Sequence, residues 1–165
     1  MSSSSTTQEL IIREAREEDI DAVSDITRRA WGGVTMAQLR EERHGILGGK
    51  PWYEHKCAEI QDGFRRNHKS FIVAELAGRV VGYASFSCPT DSGIGVVGNN
   101  AVDPDFQGRG IGTRLISRVV EILKDKGFTV LQVSTMLQDK PAQRVYEKIG
   151  FKEIGRSIHY TMSIK

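Results

Sequence analysis

Three glycines, Gly108, Gly110 and Gly112, stand where a β-rich stretch ending at Val102 gives way to a helical pattern. The Asp103-Pro104-Asp105 turn lies between the two. With no Cβ in the way, such a chain can turn sharply from a strand into a helix. The helix that follows then begins with N–H groups that have no partner within it, and these, with the helix dipole, favour an anion. Arg109 and Arg114 can add positive charge at the rim. A glycine triplet by itself is also what a structural turn capping a helix uses.

Spacing separates the phosphate-binding motifs that could be meant. A P-loop needs a Gly-Lys-Ser/Thr end, and no such lysine follows. A dinucleotide fingerprint needs GxGxxG and an acid about 20 residues further on, where Gln132 stands instead. Nucleotide binding at this loop therefore ranks last. Gln107-Gly108-Arg109-Gly110-Ile111-Gly112 resembles instead the Gln/Arg-x-x-Gly-x-Gly/Ala signature of the GCN5-related N-acetyltransferase family. A second segment, from Asp139 and Ala142 to Tyr146-Glu147-Lys148-Ile149-Gly150-Phe151, is similar to that family's Asn-x-x-Ala-x-x-x-Tyr-Glu-Lys-Leu-Gly-Phe. The closest likeness spans residues 71–151.

The hydrophobic pattern supplies an order of elements consistent with this. Leu10-Ile11-Ile12 reads as a strand, and Ile20, Val23, Ile26, Ala30 and Trp31 recur at helical spacing before Gly32-Gly33. A short helix is expected at Thr35 to Arg43, and another from Pro51 to about Asn67. The aromatic and histidine-rich stretch 31–64 either lines a pocket or packs a helical hairpin onto a sheet. Ser70 to Glu75 and Arg79 to Phe86 form a hairpin turning at Leu76-Ala77-Gly78, and Ile94 to Val102 is the next strand, with Gly95 and Gly98 marking a bulge. After the glycine turn come an amphipathic helix closed by Gly127, a strand at Phe128 to Ser134, and a helix with Pro141 near its start and Gly150 at its end. Phe151 to Ile154 and Ile158 to Ile164 read as two further strands. The expected fold is α/β, a mixed central sheet with helices on both faces, as in the acyltransferases of the resembled family.

At 165 residues the chain suits one domain at 9–165, after a polar, disordered tail at 1–8 that has no apolar core of a secretion signal. A net charge of +2 gives no reason to expect nucleic acid or a membrane surface as partner, and no apolar run approaches the ~18 residues of a membrane span. Cys57 and Cys88 have neither disulfide-framework nor zinc spacing, so no metal is expected and a cytoplasmic setting fits. A homodimer in which the C-terminal strands pair or swap is compatible with the sequence.

The resemblance implies transfer of an acetyl group from acetyl-CoA, as co-substrate, to a primary amine of a small molecule or protein. It places the coenzyme A pyrophosphate on Gln107, Gly108, Arg109, Gly110, Ile111, Gly112 and Thr113, and the pantetheine arm on freed backbone at Val102. Asp139 stands where the family usually has asparagine; it can cap a helix but cannot donate as an amide does. Tyr146 is then the general acid for the departing thiolate, a role its pKa near 10 suits. Without the motif it would read as a core tyrosine. No general base is legible, because Val97-Gly98-Asn99-Asn100 offers only amides. Glu75, His55 and His159 are further candidates through a water, and Asn99 and Asn100 are candidates for holding substrate. These gaps leave a second reading open, a CoA-binding sensor or interaction module without transfer activity.

Overall fold

One amphipathic helix explains how the sheet is covered on one side. In the computed structural model, which describes residues 9–164, this helix is α4 (Ile111–Asp125), and it buries Ile111, Leu115, Ile116, Val119 and Leu123. The expected tail at 1–8 lies outside the described residues. Five strands form one sheet: β1 (Leu10–Glu14), β2 (Phe71–Leu76), β3 (Arg79–Ser87), β4 (Ile94–Val102) and β5 (Val130–Gln132), in that spatial order. The first four are antiparallel neighbours and β4 pairs with β5 in parallel, across α4. The sheet is therefore mixed, as expected.

Alternation along the strands divides the core in two. Ile72, Ala74 and Ala84 face α4, while Val73 and Tyr83 face α1 (Ile20–Ala30) and α3 (Trp52–Arg66) through Val23, Ile26, Ile60 and Phe64. Helices thus cover both faces. α2 (Met36–His44) packs on α3, and α5 (Lys140–Ile149) packs on α4. Thr35 caps α2 by accepting from the Gln38 N–H at 3.2 Å. The β2–β3 turn is two residues, Ala77 (φ +51°) and Gly78 (φ +76°), both left-handed as a type I′ hairpin requires.

Three expectations differ from the structure. The bulge in β4 lies opposite Ser85, between the pairs Ala84–Asn100 and Phe86–Val97, so it involves Gly98 and not Gly95. A Cβ on Gly98 would lie 2.5 Å from Ser85 Oγ, whereas one on Gly95 would meet Leu131, Phe128 and Leu123, so Gly95 only makes room for packing. β5 is shorter than Phe128–Ser134, because β4 leaves it after the pair Val96–Gln132 and Val133 onward has no strand to join. Finally, 151–154 and 158–164 form no strands. The free edge of β5 is not paired with them, and a strand without a ladder partner is not stable alone.

Candidate active site

The site is created by the way β4 parts from β5. Pairing with β5 covers only Ile94 to Val96, while pairing with β3 continues to Val102. Ala101 pairs with Tyr83, and the Asp103 N–H donates to Val81 O at 2.9 Å, so the backbone groups of Asn100 and Val102 point to the opposite edge, into the gap. The Val102 carbonyl accepts from Gln107 Nε2 at 3.1 Å, which ties the glycine turn to the strand end.

The turn itself is held from below by Asp103, which is 1% exposed. Its carboxylate accepts from Arg29 on α1 at 2.5 Å, from Arg79 at 2.8 Å and from the Asp105 N–H at 3.0 Å. Burial pushes the Asp103 carboxyl up, but the Asp105 N–H and the two guanidinium groups more than offset this and hold it below the usual carboxylate range. Gly108 and Gly110 both have φ of +76°, and nothing lies within 4 Å of where a Cβ would sit on either. The first main-chain bond of α4 is Arg114 N–H to Gly110 O, which leaves the N–H groups of Ile111, Gly112 and Thr113 without an acceptor among the described residues. The turn is therefore an open cradle of donors at a helix N-terminus, suited to a phosphate.

The two arginines of the rim divide. The Arg109 guanidinium lies 5.1 Å from the Phe106 ring, beside the turn. Arg114 instead reaches β1, donating to Leu10 O at 3.0 Å.

α5 brings Tyr146 to the same gap. Asp139 caps that helix with one carboxylate oxygen, accepting from the Ala142 N–H at 3.2 Å, and accepts from Thr135 Oγ1 with the other at 3.0 Å. The structure thus engages both of its oxygens within the protein. At the far end Gly150 takes φ of +118° and stops α5, and the Phe151 ring meets Tyr146 edge-on. The Tyr146 hydroxyl accepts from Asn100 Nδ2 at 3.0 Å. Burial raises the phenol pKa, with the Asn100 hydrogen bond opposing and the Asp139 charge reinforcing that shift. Tyr146 therefore keeps its proton at neutral pH and, while accepting from Asn100, still has that proton to donate.

On the other face of the bulge, Asn99 Oδ1 accepts from Lys56 Nζ at 2.8 Å, and that ammonium lies 4.4 Å from the Trp31 ring. An open recess of about 290 Å³ adjoins Asn99, bordered by Glu59, Arg66, Ser70 and Ser85. In the stretch 31–64, Trp31 and Phe64 pack, with Trp31 Nε1 donating to the buried Tyr83 hydroxyl at 3.2 Å, while the residues that border the recess are Glu59, Ile60 and Gly63, not its aromatic rings or histidines. None of the three suggested bases belongs to this group: Glu75 accepts from Arg13, His55 lies 2.9 Å from Leu47 O, and His159 contacts Ser157 on the exposed C-terminal segment. Sequence reasoning missed Asn100 as the partner of Tyr146, and Arg29 and Arg79 as supports of the turn. No local pattern marks these contacts.

The family model for the acetyltransferase (GNAT) family matches residues 13–151. This chain belongs to that family. It is 32% identical to the N-alpha-acetyltransferase RimI of Mycobacterium tuberculosis, over 80% of this chain and 84% of that one. An uncharacterised N-acetyltransferase of Methanocaldococcus jannaschii is 27% identical over 86% of this chain, which spans 60% of that longer protein. The fold superposes on an aminoglycoside N-acetyltransferase solved in complex with CoA, with a TM-score of 0.68 at 19% identity, covering 96% of this chain and 97% of the other. No helix among the described residues is long and apolar enough to cross a membrane.

Proposed function

We propose that the protein is an N-acetyltransferase that uses acetyl-CoA to acetylate a primary amine of a small molecule or protein. The observation that carries this is the convergence of three unlike features on one gap: an open donor cradle at the start of α4, the unpaired edge of β4 at Asn100 and Val102, and the buried Tyr146 hydroxyl. A merely structural turn would need neither the free N–H groups of Ile111, Gly112 and Thr113 nor a strand edge left open beside them. The relatives support the same chemistry, since they include an N-alpha-acetyltransferase and an aminoglycoside N-acetyltransferase.

The pyrophosphate sits on Gln107, Gly108, Arg109, Gly110, Ile111, Gly112 and Thr113, with Arg109 adding charge at the rim. Acetyl-CoA supplies an activated acetyl thioester. The Val102 N–H orients it, and an N–H held toward a developing oxyanion contributes by preorganisation, an effect of about 3 kcal/mol where one such donor has been removed elsewhere. A neutral amine enters from the recess beside Asn99, whose bordering acid, Glu59, is paired with Lys56 at 3.0 Å. As the new C–N bond forms and the C–S bond breaks, Tyr146 Oη–H gives its proton to sulfur, the amine sheds a proton to water, and water returns one to the Tyr146 phenolate. Asn100 holds the phenol in place. Asp139 serves the site by capping α5. The unpaired Cys57 and Cys88 agree with a reducing, cytoplasmic setting.

One feature favours a second reading, a CoA-binding sensor: β4 carries no carboxylate at the bulge, and Asn99 and Asn100 are already engaged. Release of free thiol from acetyl-CoA over a panel of amino acids, polyamines, aminoglycosides and peptide N-termini, with mass spectrometry of the products, separates the two. Transfer to one amine class is the expected result. Acetyl-CoA binding with no acetylated product from any class would favour the sensor.

A further inference from the structure

The recess beside Asn99 carries a positive charge that the transfer of an acetyl group does not itself require. Glu59, Gly63 and Arg66 border it from α3, and their spacing of four and three residues sets them on one face of that helix. Gly63 leaves this face bare between the two charged residues. Lys56, three residues before Glu59, continues the same face toward Asn99.

The polar groups around the recess are of two kinds. Glu59 lies 3.0 Å from Lys56 Nζ, and the same ammonium donates to Asn99 Oδ1 at 2.8 Å and sits 4.4 Å from the Trp31 ring. Ser85 Oγ donates to Asn99 O at 3.1 Å. These groups are engaged, and the charges of Glu59 and Lys56 cancel. Three donors remain unspent. Asn99 Nδ2 has no acceptor among the described residues, since only the oxygens of Asn99 are bonded. Ser70 Oγ accepts from Asn67 Nδ2 and so keeps its own proton to give. Arg66 pairs with no carboxylate among the described residues, whereas its neighbour Arg65 lies 3.8 Å from Asp62.

A guanidinium with two uncharged donors near it suits a carboxylate, whose two oxygens match the planar fork of arginine. The volume of about 290 Å³ is at the small end for a ligand recess, which suits a single amino acid. A polyamine or an aminoglycoside would instead bring several positive charges to a recess whose unmatched charge is already positive.

We propose that this recess holds the carboxylate of a small amine-bearing acid, an amino acid, with Arg66 as its counter-charge and Ser70 and Asn99 Nδ2 as further donors. The proposal rests on the acetyl-transfer reading, which it deepens by naming the acceptor. Asn99 borders the recess and the next residue, Asn100, holds Tyr146, so the acceptor's anchor and the proton donor meet the same bulge of β4. Arg66 then determines specificity.

The test compares L-alanine, L-phenylalanine and L-glutamate with the α-amide of each and with spermidine. Turnover is read as thiol release from acetyl-CoA, and binding without turnover as saturation-transfer NMR of the same amines in the presence of CoA. Amidation removes a carboxylate that raises the pKa of the amine, so more of the amide is neutral and any preference for the free acid runs against intrinsic reactivity. The variant is Arg66→Gln; Arg66 is exposed, and circular dichroism checks the fold. In the natural protein one amino acid or more should exceed its amide by about 30-fold in kcat/KM, and in Arg66→Gln that preference should shrink to within about 3-fold, through KM and not kcat. Equal acetylation of an amide or of spermidine, or a preference that survives in the variant, overturns the proposal and leaves acetyl transfer standing. Arg66-dependent binding of an amino acid with no thiol release supports the carboxylate site and counts against acetyl transfer. No binding and no transfer of any amino acid overturns the proposal.

Discussion

Tyr146 shows how one side chain acquires a task from its surroundings. Burial disfavours the phenolate, and Asn100 Nδ2 fixes the oxygen from the strand side. Tyr146→Phe keeps the ring and its edge contact with Phe151 while removing the proton, so kcat should fall about 100-fold with the acetyl-CoA KM unchanged, as steady-state kinetics would read. An unchanged kcat would return Tyr146 to core packing. The group works protonated, and its pKa is raised above the ordinary value near 10, so it causes no loss of rate as pH rises from about 7 to 9. A fall in that range, present in the natural protein and absent in Tyr146→Phe, would contradict the assignment. Tyr146 was legible because it lies in a recognisable run ending at Gly150-Phe151. Asn100 was not, because its contact with Tyr146 spans 46 positions and exists only once α5 packs beside the parted strand.

At the scale of elements, the three glycines of the turn are of two kinds, Gly108 and Gly110 being left-handed and Gly112 helical. Gly110 has φ of +76°, so Gly110→Ala is strained by about 1 kcal/mol and places a methyl in the open cradle. Gly112 lies within α4, and a Cβ there would sit 3.7 Å from Val102, an ordinary contact. Gly112→Ala should therefore leave stability unchanged or raise it by up to about 0.5 kcal/mol, with acetyl-CoA affinity preserved. Thermal melts with and without acetyl-CoA check both variants; equal behaviour of the two would remove the distinction. The turn and its helix could be read from spacing alone, since a break in apolar periodicity flanked by glycines is a local signal. Which strand glycine makes the bulge could not. Gly95 and Gly98 look alike in the sequence, and only the approach of Ser85 to Gly98 tells them apart.

Across the whole molecule, Asp103 joins three parts: α1 through Arg29, the β2–β3 hairpin through Arg79, and the turn that leads to the glycines. Asp103→Asn leaves two guanidinium groups facing a neutral amide and should cost about 2 kcal/mol, measured by urea unfolding at pH 7. Asp103 and Asp19 are both held below the ordinary carboxylate range, Asp19 by Arg13 and the Arg16 N–H against the opposing effect of burial. A lowered folded pKa means the stabilisation is complete above the unfolded value near 4 and is lost as pH falls through the still lower folded values. Stability should thus be insensitive to these groups above about pH 5 and fall below about pH 4, less steeply in Asp103→Asn; an equal slope in both proteins would exclude Asp103 from the effect. The order of the layers was legible because α1, α3, α4 and α5 each carry an apolar face. The C-terminal strands were not placed, because alternation at 158–164 says that one face wants cover without saying which surface provides it.

The most direct measurement is calorimetric titration of acetyl-CoA into the natural protein and into Gly110→Asp, with circular dichroism confirming that both are folded. A single-site association that the variant abolishes is expected, since the new carboxylate would stand among the donors meant for a pyrophosphate. Undiminished affinity in the folded variant would mean that the coenzyme binds elsewhere, and the site built on this turn would have to be abandoned.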